Sequence, residues 1–266
     1  VPAALAFAVL TLAVSTGFRP VIATDAAVSA AVAHLVVQHP YWVAALRLVT
    51  HTADTQVLTP VAIAGLTLLA WMRRWTALRF ALVAAAATTL IRLTVLAAVA
   101  RPRPPGHLAP AHGWAYPSGH TTFSATLALT VVMLAWQLLT RRWQRTTLAV
   151  GVGIWAALIG VSRVALIVHW PTDVLAAWLM VTAAVLTTAL LLPLHPRLAE
   201  LSEHGHRTLA AANNPNGIGT LAEPAASGVP ANRPSPALHG PVPGESSRGH
   251  PARSTRRAHR ILRAAP

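Results

Sequence analysis

Apolar residues fall into six long stretches separated by short polar breaks. Val1–Phe18 has 18 residues and no charge, and Thr55–Met72 is similar. Phe80–Ala100 and Thr146–Val168 each contain one arginine, Ser118–Leu139 contains no Arg, Asp or Glu, and Val174–Leu194 is uncharged. A helix needs about 20 apolar residues, in a range of about 17–25, to cross the hydrocarbon core. Each stretch therefore predicts a spanning helix. A signal peptide is the rival reading of Val1–Phe18, and we read it as a retained span. Ala27–Val37 and Tyr41–Val49, separated by His39-Pro40, predict two short helices at the outer membrane interface. From about Leu198 the chain turns to Pro, Gly, Ser, Asn and Arg without apolar periodicity, which predicts disorder. The pattern as a whole predicts an all-α, six-transmembrane helical bundle over residues 1–197, followed by a disordered tail over 198–266.

Composition reinforces the bilayer as solvent. Hydrophobic residues make up 54% of the 266 and charged residues only 11%, where a soluble domain carries about 25%. There is no cysteine, which excludes disulfides and thiolate metal sites. There is no lysine either, so all 21 basic residues are arginine. The formal charge of +14 does not mark a nucleic-acid binder, which needs basic residues gathered on a folded face. Here many lie in the tail and most others flank apolar runs. Arg73, Arg74 and Arg79 follow the second stretch, and Arg141, Arg142 and Arg145 follow the fourth. The positive-inside rule puts these loops and the tail in the cytoplasm, and the loops after the first, third and fifth stretches outside a multi-pass cell-membrane protein. The partner this implies is the bilayer itself and a lipid within it; the oligomeric state is left open.

Three polar segments border the outer loops, and ionisable groups there default to a functional reading. Arg101-Pro102-Arg103-Pro104 places two guanidiniums on a stiff segment able to grip an anion. Tyr116-Pro117-Ser118-Gly119-His120 opens the fourth stretch. Ser118 suits an N-cap whose hydroxyl takes a free amide. The first-turn amides suit an anion, Gly119 admits a ligand close to the backbone, and His120 is placed to give a proton to a leaving group. Ser162-Arg163 is followed by His169 and Asp173. Arg163 in an apolar run needs an anionic partner. Asp173, beside Pro171 in a helix's first turn, orients His169 as a nucleophile. Each segment also has a plain structural reading: a basic loop, a capped helix, a polar pair at a turn. Together they supply the nucleophile, acid and anion donors of phosphoryl transfer. They require neither metal nor cofactor, since two-metal chemistry needs several carboxylates.

The chain resembles the type 2 phosphatidic acid phosphatase superfamily, the lipid phosphate phosphatases. Their signature is Lys-x6-Arg-Pro, then Pro-Ser-Gly-His, then Ser-Arg-x5-His-x3-Asp. The second is met by Pro117 to His120, and the third by Ser162-Arg163, His169 and Asp173. The resemblance implies that His169 forms a phosphohistidine supported by Asp173, and that His120 protonates the leaving oxygen. It also implies that Arg103, Ser118, Gly119 and Arg163 hold the phosphate. The first motif departs: seven residues before Arg103 stands Leu96, and before Arg101 stands Thr94. The nearest upstream cation is Arg92, which can either reach outward in the lysine's place or bond within the bundle. The implied activity is metal-free hydrolysis of phosphatidic acid, phosphatidylglycerol phosphate or a polyprenyl (di)phosphate. Transfer of the phosphoryl group to an alcohol acceptor, or lipid binding without catalysis, are the alternatives. Soluble haloperoxidases and acid phosphatases share the constellation, but six spans disfavour them.

Overall fold

The computed structural model describes residues 2–192, and these are all-α. The expected boundary at 197/198 and the tail beyond it lie outside the described residues. The helices are α1 (Pro2–Ser15), α2 (Arg19–Val37), α3 (Pro40–His51), α4 (Thr55–Trp71), α5 (Trp75–Val99), α6 (Gly119–Leu138), α7 (Arg142–Ala165) and α8 (Pro171–Leu191). Among the described residues, six helical runs are long and apolar enough to cross a membrane: α2, α3 with α4 as Pro40–Trp71, α5, α6, α7 and α8.

Helices α4 to α8 are the expected stretches with ends shifted by a few residues. The first stretch differs. Val1–Phe18 yields a 14-residue helix, about 21 Å long at 1.5 Å per residue, against a core of about 30 Å. Gly17, at φ 68, breaks it, and Pro20 starts α2 in its first turn. Consequently α2 runs 19 residues, where a short helix from Ala27 was expected. Asp25 reads as a polar interruption in the sequence, yet it is 1% exposed because Arg101 and Thr172 bond it.

Those bonds also fix where α2 and α3 lie. Asp25 joins the loops at one end of the bundle, and Thr50 near the end of α3 accepts from Arg163 near the end of α7. Val43 and Leu46 of α3 pack against Leu166 and Val168, beyond the last turn of α7. Both helices therefore contact the end of the bundle where α5 and α7 end and α6 and α8 begin; each belongs to a run long enough to span, where two short interfacial helices were expected. Loops at this end are knitted by Ala115 N–H to Arg101 O at 2.8 Å, Leu108 N–H to Leu166 O at 2.9 Å and Ser118 N–H to Asp173 O at 3.1 Å. At the other end, Arg145 Nε donates to Leu139 O at 2.7 Å, satisfying a carbonyl at the end of α6 with a cation.

Small residues let the helices approach. A Cβ on Gly160 would lie 2.5 Å from Trp178 and 2.8 Å from Val174, so glycine is what seats α7 against α8 beside the polar loops. Phe80, Ala84, Leu134, Met180, Val181 and Val185 form the main buried apolar cluster. On α7, Val150, Ile154, Leu158 and Val161 are all exposed. Their helical spacing makes one apolar stripe, the surface a bilayer covers.

Candidate active site

Two backbone reversals aim the polar segments inward. α5 ends at Ala100 in the left-handed region (φ 44, ψ 42), its N–H bonded to Leu96 O, and the next residue, Arg101, turns into the bundle. After α7, Ile167 also has positive φ, at 58. Beyond it, the amides of Val168 and His169 both donate to Arg163 O, at 3.1 and 3.2 Å. This tight wrap returns His169 over the end of its own helix. Pro171 then opens α8, whose first turn carries Asp173.

His169 is 1% exposed and Asp173 is fully buried. The imidazole Nδ1 lies 3.3 Å from Asp173 Oδ2, and Nε2 lies 3.0 Å from Arg103 Nη1. A guanidinium only donates, so Nε2 is the acceptor and Nδ1 carries the proton toward Asp173. Burial pushes the His169 pKa down to about 4, the Asp173 carboxylate pulls it back up, and Arg103 and Arg163 push it further down. The ring is neutral with its Nε2 lone pair directed at Arg103. Asp173 Oδ2 accepts the Trp170 amide at 2.8 Å, and Oδ1 accepts Arg101 Nη1 at 2.8 Å. Arg101 also donates to Thr172 Oγ1 and Asp25 Oδ2, each at 2.7 Å. Arg101 is thus engaged in orienting the aspartate.

Arg103 sits in a cage of carbonyls. Its Nε donates to Gly113 O, Nη1 to Val168 O, and Nη2 to His112 O and Trp114 O, at 2.7 to 3.1 Å. With His169 Nε2, all five guanidinium N–H groups are occupied. Burial lowers its pKa, and Asp173 opposes that. A cavity of about 390 Å³ lies alongside, lined by Pro102, Pro104, Pro105, His107 and Trp114 among others.

The remaining expected residues meet at the same end. Ser118 is the N-cap of α6, but its hydroxyl caps no amide; it accepts from Thr121 Oγ1 at 3.0 Å. The expected side-chain cap is thus replaced, because the buried Thr121 hydroxyl claims the oxygen. Gly119 does allow a close approach, and the group that approaches is Arg92: a Cβ there would lie 2.8 Å from Arg92 Nη2. The Arg92 guanidinium rests over Phe123, and its buried Nε has no partner. Arg163, 3% exposed, donates from Nη1 to Thr50 Oγ1 at 2.8 Å, while its Nε also has no partner. Among the described residues the anionic partner expected for Arg163 is not a side chain of this protein. His120 Nε2 is paired with Asp54 Oδ1 at 2.7 Å.

The site therefore brings together His169, Asp173, Arg163, Arg103, Ser118, Gly119 and His120, and adds Asp54, Asp25, Thr50 and Arg92. Sequence spacing missed Asp25 and Asp54, whose partners lie 76 and 66 residues away. Rarity was the available signal. Asp25, Asp54 and Asp173 are the only carboxylates before residue 193, and each is bonded at this site. Among the described residues no three His, Cys, Asp or Glu side chains converge as metal ligands would. The arrangement offers a neutral imidazole nitrogen, a second imidazole and two under-bonded guanidiniums, which suits attack on a bound anion.

Residues 77–196 match the family model described as the PAP2 superfamily. Phosphatidylglycerophosphatase B of Haemophilus influenzae is 40% identical over 68 residues, 26% of this chain and 28% of that protein. Its namesake from Escherichia coli K12 is 37% identical over 101 residues, 36% of this chain and 37% of that protein. The matches thus span only 28% to 37% of the length of these relatives. The crystal structure of a transmembrane PAP2 type phosphatidylglycerolphosphate phosphatase from Bacillus subtilis superposes with a TM-score of 0.61 at 24% identity. That likeness covers 70% of this chain and 92% of the other, and it speaks for the fold.

Proposed function

We propose that the chain is a PAP2 superfamily member, as the match of residues 77–196 supports, and a membrane phosphatase that releases phosphate from a lipid through a phosphohistidine on His169. The observation that carries the reading is the buried His169–Asp173 pair, with Nε2 unprotonated and facing cations. The names of its relatives favour phosphatidylglycerol phosphate among the lipid phosphates. Arginine-bearing turns at the far end of the bundle favour a site on the outer face and a cytoplasmic tail.

In the first step the lone pair of His169 Nε2 attacks phosphorus. The bond from phosphorus to the lipid oxygen breaks, and its electron pair leaves on that oxygen, which takes a proton from His120. Asp173 stabilises the positive charge that grows on the ring of His169. In the second step water gives a proton to His120 as its oxygen attacks phosphorus. The nitrogen–phosphorus bond then breaks, its pair returns to Nε2, and inorganic phosphate departs. Arg92 and Arg163 have unpaired Nε donors suited to the phosphate oxygens, as do the uncapped amides at the start of α6. Arg103 joins them once its Nη1–H leaves His169.

Wild-type protein in detergent with EDTA should release phosphate from phosphatidylglycerol phosphate and form an acid-labile phosphoenzyme. His169→Ala should reduce both to background. Substantial phosphate release by His169→Ala would refute the mechanism.

A further inference from the structure

A second histidine–aspartate pair lies at the same end of the bundle, and no sequence motif includes its carboxylate. His120 Nε2 and Asp54 Oδ1 are 2.7 Å apart. The other carboxylate oxygen, Oδ2, lies 2.5 Å from Nδ1 of His51. Asp54 occupies the break between α3 and α4 and is the N-cap of α4 without a side-chain cap bond. Its carboxylate is therefore committed to the two histidines. Among the described residues His120 has no other side-chain hydrogen bond. With Nε2 engaged, Nδ1 is the nitrogen left to face a substrate.

The two pairs differ in exposure. In the first, side-chain exposures are 2% and 0%; in the second, His120 is 28% and Asp54 36% exposed, with His51 at 61%. A nucleophile must stay neutral and dry. An acid must hold a proton and recover it from water after each turnover. Arg103 and Arg163 bring two cations to this end of the bundle. A carboxylate on the far nitrogen counters them and locks the ring's orientation.

Resting on the proposed phosphatase reading, we infer that Asp54 is a positioning residue for the general acid: it orients His120 and sustains its proton for the leaving lipid oxygen. His51 holds the second oxygen and links the pair to solvent. This assigns to the α3–α4 break a part in leaving-group departure. It separates the polar groups into a buried half for attack and a wetted half for protonation.

The assignment is read by comparing two leaving groups. A glycerol-type alkoxide needs a proton as it departs, whereas p-nitrophenolate does not. kcat/KM covers the steps up to phosphoenzyme formation, so dephosphorylation does not enter. Asp54→Asn preserves an N-cap residue type and size. It should lower kcat/KM for phosphatidylglycerol phosphate about tenfold more than for p-nitrophenyl phosphate, a part of the roughly hundredfold typical of a general acid. Asp54→Glu, which restores a carboxylate, should recover part of that difference. In a His120→Gln background Asp54→Asn should add little, because the two act as a unit. Around Asp54 and His120 the charged or titratable neighbours are His51, Arg103 and Arg163. The acid pair should also set the basic limb of the lipid pH profile, which Asp54→Asn should move to lower pH. Equal losses on both substrates, or no change on either, overturn the inference. Failure of the phosphatase reading itself would appear differently, as no phosphate release by wild-type protein.

Discussion

A guanidinium fills the space where residue 119 would carry a Cβ. Arg92 Nη2 would be 2.8 Å from that atom, so any side chain at 119 would displace the end of Arg92. Arg92 lies about one turn deeper than the position of the family's first-motif lysine. Its side chain reaches Gly119 at the start of α6. It makes no hydrogen bond with its buried Nε. A cation left this way is relieved by an anion. Arg92→Ala should weaken competitive inhibition by inorganic phosphate by about ten- to a hundredfold, the loss of one hydrogen bond to a charged group of about 1.5–3 kcal/mol. Arg92→Lys should recover part of it. Inhibition constants in detergent would measure both, and an unchanged constant in Arg92→Ala would assign Arg92 to packing alone.

At the scale of elements, helix ends place the chemistry. Ala100 stops α5 in a left-handed conformation that costs a residue with a Cβ roughly 1–2 kcal/mol. The reversal is what delivers Arg101 to Asp173 and Arg103 to His169. Ala100→Gly should retain the turn without that steric cost, offset in part by the entropy glycine loses on folding. The thermal midpoint in detergent should therefore rise, by a net gain of about 1 kcal/mol or less. A lower midpoint would show that the Ala100 methyl packs better than it strains. Gly160 works by contact instead: its missing Cβ lets Trp178 and Val174 close on α7, holding α8 and Asp173 against the wrap that carries His169.

For the molecule as a whole, the arginine-bearing turns and the polar loops lie at opposite ends of the bundle. The absence of native cysteine gives a background-free test of orientation. His107→Cys, in the loop after α5, should react in intact cells with a membrane-impermeant maleimide. Met72→Cys, beside Arg73, should react only after the cells are opened; the reverse pattern would invert the assignment. Much of this architecture is legible in sequence because lipid demands unbroken apolar runs, and α4 to α8 follow them closely. Pro2–Ser15 and Arg19–Val37 were less legible. There the chain is apolar on both sides of Gly17, and Asp25 looks like a break until its partners, Arg101 and Thr172, are known. The site divides in the same way. His169 and Asp173 are read from their spacing because one tight turn joins them. Asp54 and His120 meet only through tertiary packing, which no local spacing encodes.

The carbonyl cage around Arg103 fixes a cation beside His169. Four backbone oxygens hold the side chain, and its remaining N–H meets Nε2. On the proposed mechanism that N–H is the one an arriving anion takes onto its own oxygen, which frees Nε2 as phosphorus comes within reach. Recognition of negative charge and exposure of the nucleophile are then a single exchange of hydrogen bonds, one that a neutral alkylating or acylating agent cannot make.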